Sequence, residues 1–148
     1  MNTSTTHRSH CGVSCALDIL GDKWSLLIVR DIVFLHKKTF KDFVASHEHI
    51  ATNILADRLK KLEANGILLK KKAPHNHKVN YYSLTEKGVA LLPILLELIS
   101  WSHDHLDNTF GKKTRELYSS FQKDKKKTEK KSNKLINSKR SSNKRLDT

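Results

Sequence analysis

A change of hydrophobic period at Gly66 limits the folds open to this chain. Upstream, the leucines of residues 52–64 recur at helical spacing, and Gly66 follows them as a helix-ending residue. Downstream, residues 67–72 and 79–84 have the composition of two short strands joined by a loop at 73–78. A helix that leads directly into a hairpin is typical of a winged helix-turn-helix.

The residues before this point are predicted to form three further helices. Apolar residues of 13–20 share one helical face, and Asp22 can cap the helix that follows. This second helix, 23–35, is apolar on nearly all sides, which predicts that it is buried in the core. Thr39 is expected either to cap a short helix at Phe40–Val44 or to form one or two residues of strand.

After the hairpin, Thr85 is expected to cap a long amphipathic helix that ends near Leu106. Pro93 lies inside this segment, where it should either kink the helix or mark its true first turn. The predicted fold is therefore mainly α with a small β-hairpin, in the arrangement of a winged helix-turn-helix.

Positive charge is concentrated at the end of the chain. The 148 residues include 28 Lys and Arg against 15 Asp and Glu, and half of the cations lie in residues 111–148. Few apolar residues occur there, so 109–148 is predicted to be a basic, disordered tail, with one helical turn left open near 115–121. Residues 1–10 are predicted to be a flexible N-terminus, and 11–108 the folded domain. The tail either contacts flanking phosphates or only increases solubility.

The helix at 52–64 is predicted to enter the major groove of DNA. Its leucines lie on one side, and the opposite side carries groups that can hydrogen-bond or touch base edges. The predicted contact residues are Thr52, Asn53, Ala56, Asp57 and Lys60. Taken alone, this polar side fits an ordinary surface helix equally well.

The hairpin at 67–84 is predicted to be the wing, which contacts the DNA backbone or the minor groove. Its candidate contact residues are Lys70, Lys71, Lys72, His75, His77 and Lys78. Cations there would add affinity that does not depend on base sequence. The alternative is an edge strand that its lysines keep soluble. The position directly after the candidate recognition helix favours DNA binding.

Several blocks of the sequence resemble winged-helix regulators of the HxlR type, over about residues 11–106. The matching blocks are 11–28, 40–43, 50–66, 82–88, 92–93 and 101. The Leu-Gly-Asp-Lys-Trp run at 20–24 is the most specific of them. The resemblance implies a homodimer, built from the first and last helices, that binds a pseudo-palindromic operator with two recognition helices.

The residues themselves support such a dimer, because the apolar stripe of the last helix is too extensive to be left exposed. The candidate interface residues are Leu17, Ile94, Leu95, Leu98 and Trp101. Core packing within one chain is the alternative for part of this stripe.

Two cysteines, Cys11 and Cys15, lie at the start of the resemblance. Cys11 matches the position at which relatives sense electrophiles or oxidants. Neighbouring cations could lower a thiol pKa there; they are His7, Arg8, His10 and Lys23. Oxidation of Cys11 to an intersubunit disulfide would then change DNA affinity. The alternative is a pair of thiols without a function, with Cys15 packed in the dimer interface.

Two positions depart from what DNA binding would favour. Relatives often have a capping Ser where this chain has Ala51, so Thr52 is expected to cap the helix instead and to be partly withdrawn from DNA. Asp57 would repel phosphate unless it bonds a cytosine amino group or pairs with Lys60 or Lys61.

Other function classes find little support. The sequence has no glycine-rich phosphate loop, nucleophile elbow, carboxylate pair or closed metal-ligand spacing, so we expect neither an enzyme, a cofactor nor a metal site. It has no signal peptide or membrane span either, so we expect a soluble cytoplasmic protein. Its expected partners are double-stranded DNA and a second copy of itself. Binding of a small-molecule or oxidant effector is left open. The competing hypotheses are a non-specific, architectural nucleic-acid-binding protein dominated by its tail and a protein-interaction module.

Overall fold

The computed structural model describes residues 6–107, 109–123, 126–127, 130, 133–134 and 137. In chain order the elements are α1 (Gly12–Leu20), α2 (Ser25–Leu35), α3 (Phe40–Val44), α4 (Thr52–Ala64), β1 (Leu68–Ala73), β2 (Asn76–Leu84), α5 (Glu86–Val89), α6 (Leu92–His105) and α7 (Lys112–Lys123). Residues 1–5 of the predicted flexible N-terminus (1–10) lie outside the described residues. So do residues 124–125, 128–129, 131–132, 135–136 and 138–148 of the predicted tail (109–148).

The central helix α2 begins where Asp22 satisfies its first donors. The Asp22 carboxylate accepts hydrogen bonds from the backbone N–H groups of Trp24 and Ser25, at 2.8 and 2.9 Å. The helix therefore starts at Ser25, two residues later than the sequence predicted. As expected, α2 contributes to the core, with Val29 fully buried.

Thr39 fulfils both of the roles that the sequence left open. Its hydroxyl accepts a hydrogen bond from the Asp42 N–H, and the Asp42 side chain accepts from the Thr39 N–H, which completes a capping box for α3. The same residue forms an isolated antiparallel bridge with Tyr81 of β2. The start of the helix-turn-helix is thus joined to the hairpin.

The hairpin has a two-residue turn, Pro74-His75, rather than the six-residue loop that the sequence predicted. Leu68 pairs with Leu84, and the antiparallel register continues to Lys72 opposite Asn80 before an irregularity at Ala73. The strands therefore extend further than predicted, and His77 and Lys78 belong to β2 rather than to a loop.

A compact junction joins the hairpin to the helices on either side. Gly66 has a φ of 71°, which a side chain would disfavour, and its carbonyl accepts a 2.5 Å hydrogen bond from the Thr85 hydroxyl. Thr85 also caps α5 by accepting from the Gly88 N–H. A Cβ atom at Gly88 would lie 2.4 Å from the Ile67 carbonyl oxygen, so this close approach requires glycine.

The segment after Thr85 is divided between two helices, because α5 ends at Val89 and α6 begins at Leu92. Pro93 lies in the first turn of α6, where its missing N–H costs nothing, so it marks a true helix start. The leucines of α6 complete a core whose buried members include Phe43, Leu55, Leu62, Leu84, Leu92 and Leu96.

The prediction of disorder from residue 109 onward is wrong for Lys112–Lys123, which form α7. This helix packs along α6, with Phe121 buried and Leu117 partly buried against the core. Leu117 and Phe121 lie one helical turn apart on the same face, but two apolar residues were too few to outweigh the polar composition in the sequence prediction. None of the described helices is long and apolar enough to cross a membrane.

Candidate DNA-binding surface

Helix α4 separates the residues that hold it from those that face solvent. Leu55, Leu59 and Leu62 are at most 2% exposed and anchor the helix in the core. The predicted contact residues are all exposed on the other side; they are Thr52, Asn53, Ala56, Asp57 and Lys60. The structure therefore brings these five together on one accessible face.

The start of α4 differs from the expectation for Thr52. Ala51 is the N-cap residue and provides no side-chain hydrogen bond, while Thr52 is the first helical residue. Thr52 does not cap the helix, and its exposed side chain is not withdrawn from the surface as the sequence suggested.

Asp57 has a cationic neighbour that sequence reasoning missed. Its Oδ2 lies 3.1 Å from Arg58 Nη1, and Arg58 Nε lies 3.3 Å from Asp22 Oδ1. The expected pairing with Lys60 or Lys61 is not the one that forms. Arg58 therefore offsets the negative charge of Asp57 on α4. Because Asp22 caps α2, the contact between Arg58 and Asp22 also joins α4 to the core helix.

A buried ion cluster fixes the turn between α3 and α4. Asp31 on α2 is 3% exposed, and its carboxylate accepts a hydrogen bond from the Ser46 hydroxyl. It also accepts two hydrogen bonds from Arg30, from Nη2 at 2.6 Å and from Nε at 2.9 Å. Lys37 Nζ lies 3.3 Å from Asp31 and donates to the Ser46 hydroxyl at 2.6 Å. The turn is thereby held to the core by charge as well as by apolar packing.

Arg30 extends this cluster to the last residues before α4. It donates hydrogen bonds of 2.5 and 2.9 Å to the two carboxylate oxygens of Glu48. These bonds lower the pKa of Glu48 to about 2, from an ordinary value of 4.5. Glu48 is thus ionised at neutral pH and bound on both oxygens, which orients the approach to α4.

The wing residues are exposed along both strands, and the base of the wing is attached to the helix-turn-helix. Lys70, Lys71 and Lys72 lie on β1, His75 in the turn, and His77 and Lys78 on β2. The Tyr82 N–H donates to the Lys38 carbonyl at 2.8 Å, and Lys38 Nζ lies 4.5 Å from the centre of the Tyr81 ring. Tyr82 also packs edge-on against Phe43 of α3.

The candidate interface residues divide into two groups. Leu17, Ile94, Leu98 and Trp101 are large apolar side chains that remain 42–56% exposed. Leu95 is only 6% exposed and belongs to the core of the chain, so its assignment to the candidate interface is corrected. An exposed apolar surface of this kind is typical of a protein interface.

Cys11 is exposed at the start of α1, and Cys15 is half-buried. Interaction with the backbone N–H groups of Ser14 and Val13 lowers the pKa of the Cys11 thiol. The lowering therefore comes from the helix start rather than from the neighbouring cations proposed from sequence. Two of those residues, His7 and Arg8, instead contact Asp18: His7 Nδ1 lies 3.4 Å from Asp18 Oδ2, and Arg8 Nε lies 2.5 Å from Asp18 Oδ1.

No cluster of three or more potential metal ligands occurs within the part of the chain that the structure describes. The architecture of α3, α4 and the hairpin is a winged helix-turn-helix. The profile of the HxlR-like helix-turn-helix family matches residues 19–110, and the chain belongs to this family of transcriptional regulators.

Similar proteins agree with this assignment. The transcriptional regulator YvaP of Bacillus subtilis is 35% identical over 95 residues, which cover 64% of this chain and 87% of YvaP. The reduced form of the regulator YodB from B. subtilis aligns with a TM-score of 0.54 and 30% identity, over 69% of this chain and 100% of that one. The oxidised redox regulator HypR aligns with a TM-score of 0.58 and 31% identity, over 66% and 100%.

Proposed function

We propose that this regulator binds double-stranded DNA with the first turns of α4 in the major groove and the wing on the phosphate backbone or in the minor groove. The observation that carries the proposal is the division of α4 into a fully buried leucine side and an exposed polar side that starts at Thr52. Because Ala51 supplies no side-chain cap, the N–H groups of the first turn also remain able to bind a phosphate.

The base contact is assigned to Asn53, which can bond adenine with both its oxygen and its amide group. The wing lysines supply affinity that is independent of sequence. Asp57 lies on the same face, and its pairing with Arg58 reduces its repulsion of phosphate. A role dominated by the basic tail is not favoured, since the family match covers the folded domain instead.

We also propose that the functional unit is a homodimer. The exposed apolar residues Leu17, Ile94, Leu98 and Trp101 come from α1 and α6, and a second copy of the chain would bury them. Two copies of α4 would then read half-sites on the order of 34 Å apart, one turn of DNA.

Selection of bound DNA from a random pool, followed by footprinting, tests this function. A regulator of this type protects a bounded palindrome, whereas an architectural protein coats DNA without boundaries. Asn53→Ala should weaken operator binding by about 5-fold to 150-fold, the range for one bidentate base contact, and relax preference at one base pair. Glu63→Ala, at the far end of α4, is the matched control.

A substitution in the wing should change DNA affinity in a different way in the same assay. Lys72→Gln should weaken binding to all sequences alike and reduce the salt slope by about one. Deletion of residues 124–148, which leaves α7 in place, should also act on all sequences alike. A loss of base preference in Lys72→Gln, with none in Asn53→Ala, would contradict the assignment of α4 and the wing.

A thiol response through Cys11 is part of the proposal. YodB has been described in reduced, diamide-treated and quinone-bound forms, and HypR as a redox regulator. Exposure and a lowered thiol pKa suit Cys11 for such chemistry. Diamide should alter operator affinity in the wild type and in Cys15→Ser but not in Cys11→Ser. An unchanged wild-type affinity after diamide treatment would refute this part.

A further inference from the structure

A cavity of about 390 Å³ lies between α2, α6 and α7 and reaches the turn before α4. Its volume is within the range of small-molecule sites, and its lining is predominantly apolar with a few polar groups. Leu95, Ile99 and Leu117 form part of the apolar wall, and Phe34 and Phe110 offer aromatic surfaces. This space is the inter-helix cavity.

Charge is distributed unequally in this lining. Arg30, Lys37 and Lys113 are cations, and Glu48 is the one carboxylate among the lining residues described. Asp31, behind the wall, neutralises part of the charge of Arg30 and Lys37. Lys113 differs from both, because among the described residues its polar contact is the Phe34 carbonyl at the end of α2. Within the described part of the chain, the charge of Lys113 thus has no carboxylate partner, and Lys113 lines a predominantly apolar space.

We propose that the inter-helix cavity binds a small organic anion, with an apolar body of one or two rings and a carboxylate directed toward Lys113. The ring would lie among the leucine, isoleucine and phenylalanine side chains, which favour aromatic groups. The carboxylate would complete the charge-assisted contacts of Lys113. Lys113 and Thr114 stand in the first turn of α7, whose positive end also favours an anion.

The position of the cavity links such a ligand to DNA binding. His47 and Glu48 line it, and both belong to the turn that precedes α4. Arg30, which also lines the cavity, holds this turn by two hydrogen bonds to Glu48, so a ligand that fills the cavity contacts the ion pair that positions the turn. Binding of the anion therefore changes the orientation of α4, and by reciprocity DNA changes the affinity for the anion. This second step rests on the proposed function; occupancy of the cavity does not.

The first experiment measures ligand binding alone, on the full chain, with 2-naphthoate as the probe. Saturable binding by calorimetry is expected, with a rise in Tm. Lys113→Gln should weaken the affinity about tenfold or more, as expected when a hydrogen bond between charged groups is lost. Lys112→Gln, the adjacent exposed lysine, is the matched control and should bind like the wild type. The uncharged 2-naphthamide should bind more weakly by a similar factor.

Thr114→Phe provides a second variant, because its ring would fill the cavity from α7 without touching the charge of Lys113. It should abolish binding of 2-naphthoate while the circular dichroism spectrum and Tm of the unliganded protein stay close to wild type. Equal binding of naphthoate and naphthamide, or equal binding by wild type, Lys113→Gln and Thr114→Phe, would overturn the proposal. The proposal would also be overturned if the affinity for 2-naphthoate fell as the fraction of dimer seen by light scattering rose, because a second copy of the chain would then occupy the cavity.

The second experiment measures operator affinity with and without saturating 2-naphthoate. A change in the wild type that disappears in Lys113→Gln supports the link to α4. Naphthoate binding without any change in operator affinity would refute the link. Failure to bind any DNA would instead refute the proposed function, while the calorimetric result would still decide whether the cavity binds an anion.

Discussion

The substitution Asp31→Asn tests whether the buried ion cluster determines the stability of the helix-turn-helix. Asp31 is 3% exposed and accepts hydrogen bonds from Ser46, Arg30 and Lys37. An asparagine side chain has nearly the same shape, but it loses the negative charge and replaces one acceptor oxygen with a donor amide. At least one cation would then face a donor rather than an acceptor.

The expected loss follows from the burial of the partners. Removing one member of a fully buried ion pair costs about 3–5 kcal/mol. The side chains of Arg30 and Lys37 remain 26% and 18% exposed, so water recovers part of their solvation, and Arg30 keeps Glu48. We therefore expect about 2–4 kcal/mol, a large part of the total of roughly 5–15 kcal/mol typical of a domain.

Urea unfolding followed by circular dichroism measures this loss. Asp31→Asn should lower the midpoint concentration without changing the slope, because the surface exposed on unfolding stays the same. Asp107→Asn makes the same chemical change at an exposed position and should stay within about 0.5 kcal/mol of the wild type. A loss below about 1 kcal/mol for Asp31→Asn would show that the cluster contributes little and would refute this reasoning.

Three further predictions concern local features of the same domain. The pKa of Glu48 is about 2 in the folded chain and 4.5 in the unfolded chain, so the unfolded chain binds a proton first and stability falls as the pH is lowered from about 5 to 2. Urea midpoints measured across this pH range should fall less steeply for Glu48→Gln than for the wild type. Thr39→Ala removes a capping box and should cost about 0.5–2 kcal/mol in urea unfolding, whereas an unchanged midpoint would exclude a capping role. Gly88→Ala places a Cβ 2.4 Å from a backbone oxygen and should cost about 1–3 kcal/mol; a Tm equal to wild type would show that the junction can yield.

The sequence predicted the winged helix-turn-helix because the signals for it are local. The leucine spacing of α4, the capping residue Thr39 and the change of period at Gly66 each depend on a few neighbouring residues, and the structure confirms them. Helix α7 was missed for the opposite reason, since it depends on packing Phe121 against residues far away in the chain.

The candidate DNA-binding surface also combines features that follow from local sequence with features that depend on residues far apart in the chain. The exposed positions of α4 follow from helical geometry alone, and Asn53 and Lys60 lie on the exposed side, as the sequence predicted. The groups that position this helix could not be predicted, because Arg30–Glu48 and Arg58–Asp22 join residues 18 and 36 positions apart. A charged residue carries no sequence signal for which of many opposite charges it will meet. Lys113 is a similar case, one lysine among many in a segment that composition assigned to the tail.

The bridge between Thr39 and Tyr81 has a consequence for the entropy of binding. A wing that became ordered only on DNA would lose conformational freedom at that moment, and its phosphate contacts would be offset by that loss. Here the base of the wing is ordered when the chain folds, through the bridge and the Lys38 carbonyl. In the proposed DNA complex, contacts made near the base would therefore add to affinity almost in full, whereas residues at the turn, further from the bridge, would retain more conformational freedom to lose.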